Sequence, residues 1–231
     1  MQKLVVLTGA GISAESGLKT FRDMGGLWEQ YDIMEVATPE AWARNPKLVN
    51  QFYNERRKQL SEVNPNPAHI KLAELEKYFD IQIITQNVDD LHERAGSSKI
   101  MHLHGELKKV RSSIDPNLIY TLDSWELKLG DKCEKGSQLR PHIVWFGEDV
   151  PLIQDAAMLV KNADIFVVIG TSLNVYPAAG LINFVPEKSP IFILDPEKIT
   201  TKGKNINFIQ AKAVAGIEVL SDLLIKYGSK L

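Results

Sequence analysis

The residues best equipped for chemistry in this chain sit directly after short apolar runs. "QNVDDLH" follows "IQIIT" and supplies Gln86, Asn87, Asp89 and Asp90. "GTSLNVYP" follows "IFVVI" and supplies Gly170, Thr171, Ser172 and Asn174, while Asp195 closes "PIFIL". If the apolar runs are strands of an open α/β sheet, these polar groups line the crevice beyond the strand carboxyl ends, where such sheets bind ligands. "MHLHGEL" adds His102 and His104, which share a face if the segment is extended. Two histidines could begin a metal site, but no third ligand stands near them in sequence, and either one could simply support its neighbours. His104, just before Gly105, is the better general base, because a turn would expose an imidazole whose ordinary pKa near 6.5 suits proton transfer at neutral pH.

Two further patterns carry chemistry. In "VVLTGAGISAESG", Gly9, Gly11 and Ala14 meet the G-x-G-x-x-[G/A] spacing that lets backbone approach a pyrophosphate. A dehydrogenase would follow this loop with a helix, a second strand and a ribose-binding acid about 20 residues on. This chain instead continues "GLKTFRDMGGLWEQY", which reads as a mobile flap carrying Phe21 and Arg22 and argues against simple hydride transfer. In "FYNERRKQL", Tyr53 and Arg56 lie at i and i+3 and so share one helix face. Taken alone, that pair fits the solvated face of an amphipathic helix.

Parallel strands buried on both faces fit the Val- and Ile-rich runs "KLVVLTG", "IQIITQ", "IFVVIG" and "PIFILD", with "INFIQ" a weaker candidate. Helical patterns lie between them: "NPKLVNQFYNERRKQL", "NPAHIKLAELEKYF", "LIQDAAMLVKNA" and "AVAGIEVLSDLLIKYG". Pro39 after Thr38, and Pro67, suit helix starts. The alternation predicts a Rossmann-type, doubly wound α/β fold in a single domain spanning 1–231. Two stretches break it, about 19–63 and about 108–140, and both are expected to be insertions forming a smaller module. A net charge of −2 gives no reason to expect nucleic acid or an anionic membrane as an obligatory partner. The apolar runs are too short to span a bilayer. The strand beginning at the N-terminus leaves no room for a signal peptide, and the single cysteine, Cys133, fits a reducing compartment, so a soluble, cytoplasmic protein is expected.

Taken together, "GAGISAESGLKTFRD", "TQNVDDLHERAG", "HLHGEL", "PHIVWFGE" and "GTSLNVYPAAGL" resemble, in order, the signature blocks of the sirtuins, NAD-dependent protein lysine deacylases. The resemblance implies that NAD is consumed as a co-substrate and that acylated lysines of proteins or peptides are the other substrate. It implies that Gly9, Ala10, Gly11 and Glu15 line the dinucleotide loop, with Phe21 and Arg22 in its lid. Gln86, Asn87 and Asp89 would surround the nicotinamide and its ribose, and His104 would be the catalytic base. Gly170, Thr171, Ser172 and Asn174 would serve the phosphate and ribose region. Asp195 stands where many sirtuins have Asn. Trp145, Phe146, Gly147 and Glu148, with Val175 and Tyr176, would form strands that sandwich the substrate backbone, a β-augmentation.

The resemblance narrows to a branch with a Tyr-x-x-Arg pair and an alanine upstream, matched by Tyr53, Arg56 and Ala37. It implies a preference for succinyl or malonyl over acetyl groups. Ala37 would leave room, Arg56 would fork onto a carboxylate, Tyr53 would add a hydroxyl, and Arg57 would point elsewhere. Most sirtuins carry two Cys-x-x-Cys pairs in the small module. Here those regions read "VRSSIDPN" and "DKCEKGS", so no structural zinc is expected. Apolar packing of Ile114, Leu118, Ile119, Tyr120, Leu122, Trp125 and Leu127 is expected instead. A conventional oxidoreductase, a mono-ADP-ribosyltransferase and an NAD-binding sensor are the alternatives.

Overall fold

A computed structural model describes residues 1–18, 31–199 and 205–228. Its main sheet has six parallel strands in the order β3-β2-β1-β7-β8-β9: β1 Lys3–Thr8, β2 Asp80–Thr85, β3 Ile100–His102, β7 Ile165–Ile169, β8 Ile191–Asp195 and β9 Ile206–Gln210. Apolar residues run through β1, β7 and β8 without alternation because both sheet faces are covered. Leu4 and Val6 pack on one face against Ala68, Leu72, Ile217 and Leu220. Those residues belong to helices α5 (Pro67–Leu75) and α8 (Ala213–Gly228). Val5 and Leu7 pack on the other face against Ala156 and Val160 of α7 (Ile153–Lys161) and Leu181 of the 3-10 turn Ala178–Phe184. The strand order reverses beside β1, so β1, β2 and β7 deliver their C-terminal ends to one crevice.

Beside this sheet lies an antiparallel one, ordered β5-β4-β6, from β4 Gly105–Ser112, β5 Ile119–Thr121 and β6 Leu139–Ile143. A third apolar cluster joins it to α2 (Ile33–Val36), α3 (Pro39–Arg44) and α4 (Pro46–Glu62), through Val36, Ala41, Val49, Phe52, Leu60, Leu107, Ile143 and Trp145. Strands β3 to β6 are short or largely polar, and the sequence reading contained none of them. β4 alternates buried and partly exposed positions around Leu107, Val110 and Ser112, a pattern masked by its lysines and arginine.

Helix starts follow their capping chemistry. Thr38, Asn45 and Asn66 each accept from a backbone N–H of the first turn, and Pro39, Pro46 and Pro67 occupy the first helical position. Asn66 and His69 form a reciprocal capping box on α5. The expected apolar packing in the tip of the small module is only partial, with Leu118, Tyr120 and Leu122 half-buried. Leu127 is buried, but Ile114, Ile119 and Trp125 are exposed. A polar knot adds to it: the Ser112 and Ser137 hydroxyls lie 2.8 Å apart, and the Cys133 thiol reaches both, at 3.4 and 3.2 Å. Ser112 Oγ also accepts from the Ile114 and Asp115 N–H groups, so one hydroxyl closes the turn that apolar side chains leave open. Among the described residues no helix is long and apolar enough to cross a membrane, and no group of three or more His, Cys, Asp or Glu could hold a metal ion.

Candidate active site

The crevice is built on a buried polar network at the ends of β1 and β2. Asn87, 7 % exposed, donates from Nδ2 to Gly9 O and to Ser13 Oγ, both at 3.1 Å. Ser13 donates to Asp89 Oδ2 at 3.0 Å, and the Leu91 N–H donates to Asp89 Oδ1 at 3.2 Å. Burial raises the Asp89 carboxyl above its ordinary value, while the Leu91 and Ser13 bonds favour the charged form. Below lies a second layer. Thr8 donates to Thr85 at 2.8 Å and meets His92 Nε2 at 3.1 Å, while Thr85 Oγ1 accepts from the Asn87 N–H. His69 approaches Ser13 through Nε2 at 3.4 Å. Burial holds both histidines below their ordinary range, His69 at about 4. Ser13, Thr8, Thr85, His69 and His92 were absent from the sequence-derived site. Their one linear signal is a hydroxyl at the last position of an apolar strand, visible for Thr8 and Thr85.

His102 and His104 flank the turn from β3 to β4 and do different work. His102 meets Asn87 O through Nδ1 and Glu93 through Nε2, so both its nitrogens are engaged. Burial opposes its charge, yet the Glu93 carboxylate lifts its pKa above the usual value. Two donor nitrogens leave it no lone pair for a metal, and it steadies the Asn87 backbone instead. His104 has one such bond, Nδ1–H to Gln86 O at 3.0 Å. A carbonyl only accepts, so the proton sits on Nδ1 and Nε2 keeps its lone pair. Burial lowers the His104 pKa, with the Gln86 bond opposing, which leaves it unprotonated at neutral pH. Gly105 makes the turn possible: its φ is +82°, and a Cβ there would fall 2.0 Å from His142 O.

The glycine loop works differently from the expectation. The Gly9 N–H donates to Ile169 O and the Gly11 N–H to Gly170 O, so neither is open to a phosphate. A Cβ on Gly9 would strike Thr171 Cβ at 2.6 Å, and one on Gly11 would strike Gly170 Cα at 2.7 Å. The glycines let the turns after β1 and β7 lie backbone to backbone. That contact brings Thr171 to Gln86, whose Nε2 donates to its hydroxyl at 3.1 Å. Ala10 follows Gly9 at the start of α1 (Ala10–Ala14). The rim suits a dinucleotide by its mix of hydrogen-bonding groups: the Gln86 amide and the Thr171 and Ser172 hydroxyls can donate, while the Asn87 side-chain carbonyl and the buried Asp195 carboxylate accept. Asn174 is exposed at the crevice mouth. Glu15 faces away from this task, with Oε2 accepting from Val214 N at 2.8 Å at the start of α8. Phe21 and Arg22 lie outside the described residues.

The acyl-pocket candidates meet in the third cluster, where Ala37, Tyr53 and Trp145 are all buried. Phe146 N donates to Ala37 O at 3.0 Å, which lays the turn after β6 along Ala37. Arg56, one turn from Tyr53 on α4, has its Cζ 5.6 Å from the Phe52 ring centroid. Burial lowers its pKa, while the charges of Tyr53 and the Asp89 carboxylate oppose that shift. Arg57 points elsewhere, as expected: Nε donates to Leu107 O at 2.6 Å and a terminal nitrogen to Asn54 at 2.7 Å. It rivets α4 to β4. The expected strands at 145–148 and 175–176 are turns, bends and irregular backbone. Gly147 has φ +90° and Glu148 is tied to Arg140 and Arg111, while Phe146, Val175 and Tyr176 are exposed at the rim.

Comparison with known proteins fits this geometry. The family model described as the Sir2 family matches residues 9–177. An NAD-dependent protein deacylase of Bacteroides thetaiotaomicron is 58 % identical over 231 residues, covering 97 % of this chain and 99 % of that protein. One from Helicobacter pylori is 56 % identical, covering 99 % of this chain and all of that protein. Among solved structures, a Sir2 homologue in complex with NAD is 40 % identical with a TM-score of 0.86, covering 99 % of this chain and 90 % of the other.

Proposed function

Because the chain belongs to the Sir2 family and is an NAD-dependent protein deacylase, we propose that it removes acidic acyl groups, succinyl or malonyl, from lysine side chains in preference to acetyl. The observation that carries this reading is the meeting of Ala37, Tyr53 and Trp145 in one buried cluster beside Arg56. Tyr53 is held by its environment as a neutral phenol: burial pushes it up to about 12, against the lowering influence of Arg56. A phenol and a guanidinium on one helix face offer donors to a carboxylate, and an acetyl methyl group could use neither.

When bound, NAD supplies an activated ribose carbon and nicotinamide as leaving group. In this reading Asn87 and Asp89, fixed by Ser13, hold the nicotinamide end. Gln86, Thr171, Ser172 and Asp195 hold the ribose and phosphate side. His104 Nε2 takes a proton from a substrate hydroxyl, and Phe146, Val175 and Tyr176 flank the peptide. With one water consumed, free lysine, nicotinamide and an O-acyl-ADP-ribose are the products. The test compares kcat/KM for succinyl- and acetyl-lysine versions of one peptide, in the wild type and in Arg56→Met. Hydrogen bonds to a charged group contribute about 1.5–3 kcal/mol, so Arg56→Met should lower desuccinylation by roughly 10- to 200-fold. Equal turnover of the two acyl groups, with Arg56→Met indifferent, would remove the proposal.

A further inference from the structure

Trp145 is 2 % exposed, and its indole Nε1–H donates to the Tyr53 hydroxyl oxygen at 3.0 Å. The indole is clamped in place. Arg140 lies over it with Cζ 3.4 Å from the ring centroid, and Trp42 packs 5.9 Å away. The Trp145 N–H donates to Glu148 Oε2 at 2.8 Å. Glu148 is itself gripped by Arg140, at 2.7 and 3.0 Å, and by Arg111, at 3.2 and 3.3 Å. Swinging the indole off Tyr53 would lose its stacking against Trp42 and under the ion-paired Arg140.

The consequence falls on the proton of Tyr53. The phenol is 1 % exposed and stays protonated. Its oxygen accepts from Trp145, and among the described residues no acceptor receives its hydrogen. We propose that Trp145 is a specificity-determining positioning residue: by occupying the Tyr53 oxygen, it fixes the phenol as a donor toward the ligand, so that the pocket admits acyl end groups that only accept and rejects those that also donate. This rests on the reading of Tyr53 and Arg56 given above. A guanidinium has donors alone, so with Tyr53 fixed the two recognising groups are both donors. A terminal carboxylate satisfies them. Its near-isosteric carboxamide brings an NH2 whose hydrogens neither group can accept, and a buried unpaired donor is unfavourable. Phenylalanine at 145 keeps an aromatic ring and removes the N–H. The Tyr53 oxygen is then free to accept from the carboxamide.

The experiment measures kcat/KM for succinyl-lysine and for its terminal carboxamide analogue in one peptide, with the wild type, Trp145→Phe, Tyr53→Phe and the double variant. The wild type should favour the carboxylate by on the order of 10²-fold, and Trp145→Phe should shrink that ratio by about 5- to 10-fold. With phenylalanine at 53, adding Trp145→Phe should change the ratio by less than about 2-fold, because the coupling runs through the missing hydroxyl. Benzothienylalanine at 145, a bicycle that lacks only the N–H, should reproduce the effect and serves if Trp145→Phe unfolds. A ratio that does not move, or that moves equally without the Tyr53 hydroxyl, overturns the role of Trp145. If the wild type fails to prefer succinyl over acetyl and Arg56→Met changes nothing, the pocket reading itself falls, and this inference with it.

Discussion

Gly105 carries the turn that presents His104, and its replacement by alanine should damage stability and catalysis together. Two costs can be separated. The first is conformational: φ at Gly105 is +82°, a region that costs an L-residue about 1–2 kcal/mol. The second is steric. The new Cβ would meet His142 O at 2.0 Å and Ile143 Cα at 3.1 Å, both backbone atoms of β6, which pairs with β4 at Gly105 and Ile143. Backbone cannot rotate aside as a side chain can, so the strands must part, at a further cost of about 1–3 kcal/mol. Together these give roughly 2–5 kcal/mol, a large share of the ~5–15 kcal/mol that holds a typical domain together. Gly136 supplies the control, with φ +76° and nothing within 4 Å of its Cβ position, so Gly136→Ala should show the first cost alone. Urea unfolding midpoints for the two variants measure the difference. In the folded fraction, kcat for Gly105→Ala should fall by about 10-fold or more, because a displaced base loses its alignment. If Gly105→Ala unfolds no more readily than Gly136→Ala, the close approach to β6 does not exist in solution.

His104→Ala should lower deacylation by about 10²-fold or more, as loss of a general base does, while nicotinamide exchange, which precedes that proton transfer, suffers less; near-normal deacylation would refute the role assigned to Nε2. His69 gives a pH signature. Its folded pKa, about 4, lies below the unfolded value near 6.5, so the unfolded chain takes up the proton first and stability falls as pH drops from 6.5 toward 4. That difference between the two states is worth about 3 kcal/mol, and His69→Gln should flatten that part of a plot of unfolding midpoint against pH; an unchanged slope would show that His69 does not titrate as its burial implies.

The linear sequence determined the parts of this protein that depend on local pattern. Continuous Val and Ile runs marked β1, β2, β7 and β8, because a strand covered on both faces needs no polar alternation. Proline and a capping side chain marked the starts of α3 and α5. Polar residues at strand ends marked the candidate site, since parallel strands must deliver those ends to one side. Other features left little trace in the linear pattern. β4 was hidden because the less buried positions of a strand carry Lys108, Lys109 and Arg111 as readily as a loop does. The apolar residues of the small-module tip gave no hint that Ser112 would knot with Cys133 and Ser137, more than twenty residues further along the chain. The glycine motif suggested open amides, whereas tertiary packing directs those of Gly9 and Gly11 to the carbonyls of Ile169, the last residue of β7, and of Gly170 beyond it. Nor could spacing reveal that Trp145 lies on the Tyr53 hydroxyl, 92 residues away in the chain, or that His69 reaches Ser13. Residue type and short-range period fix which elements form and where their polar ends gather. The direction of each proton in the site depends on contacts between elements, and those are settled only when the chain is packed.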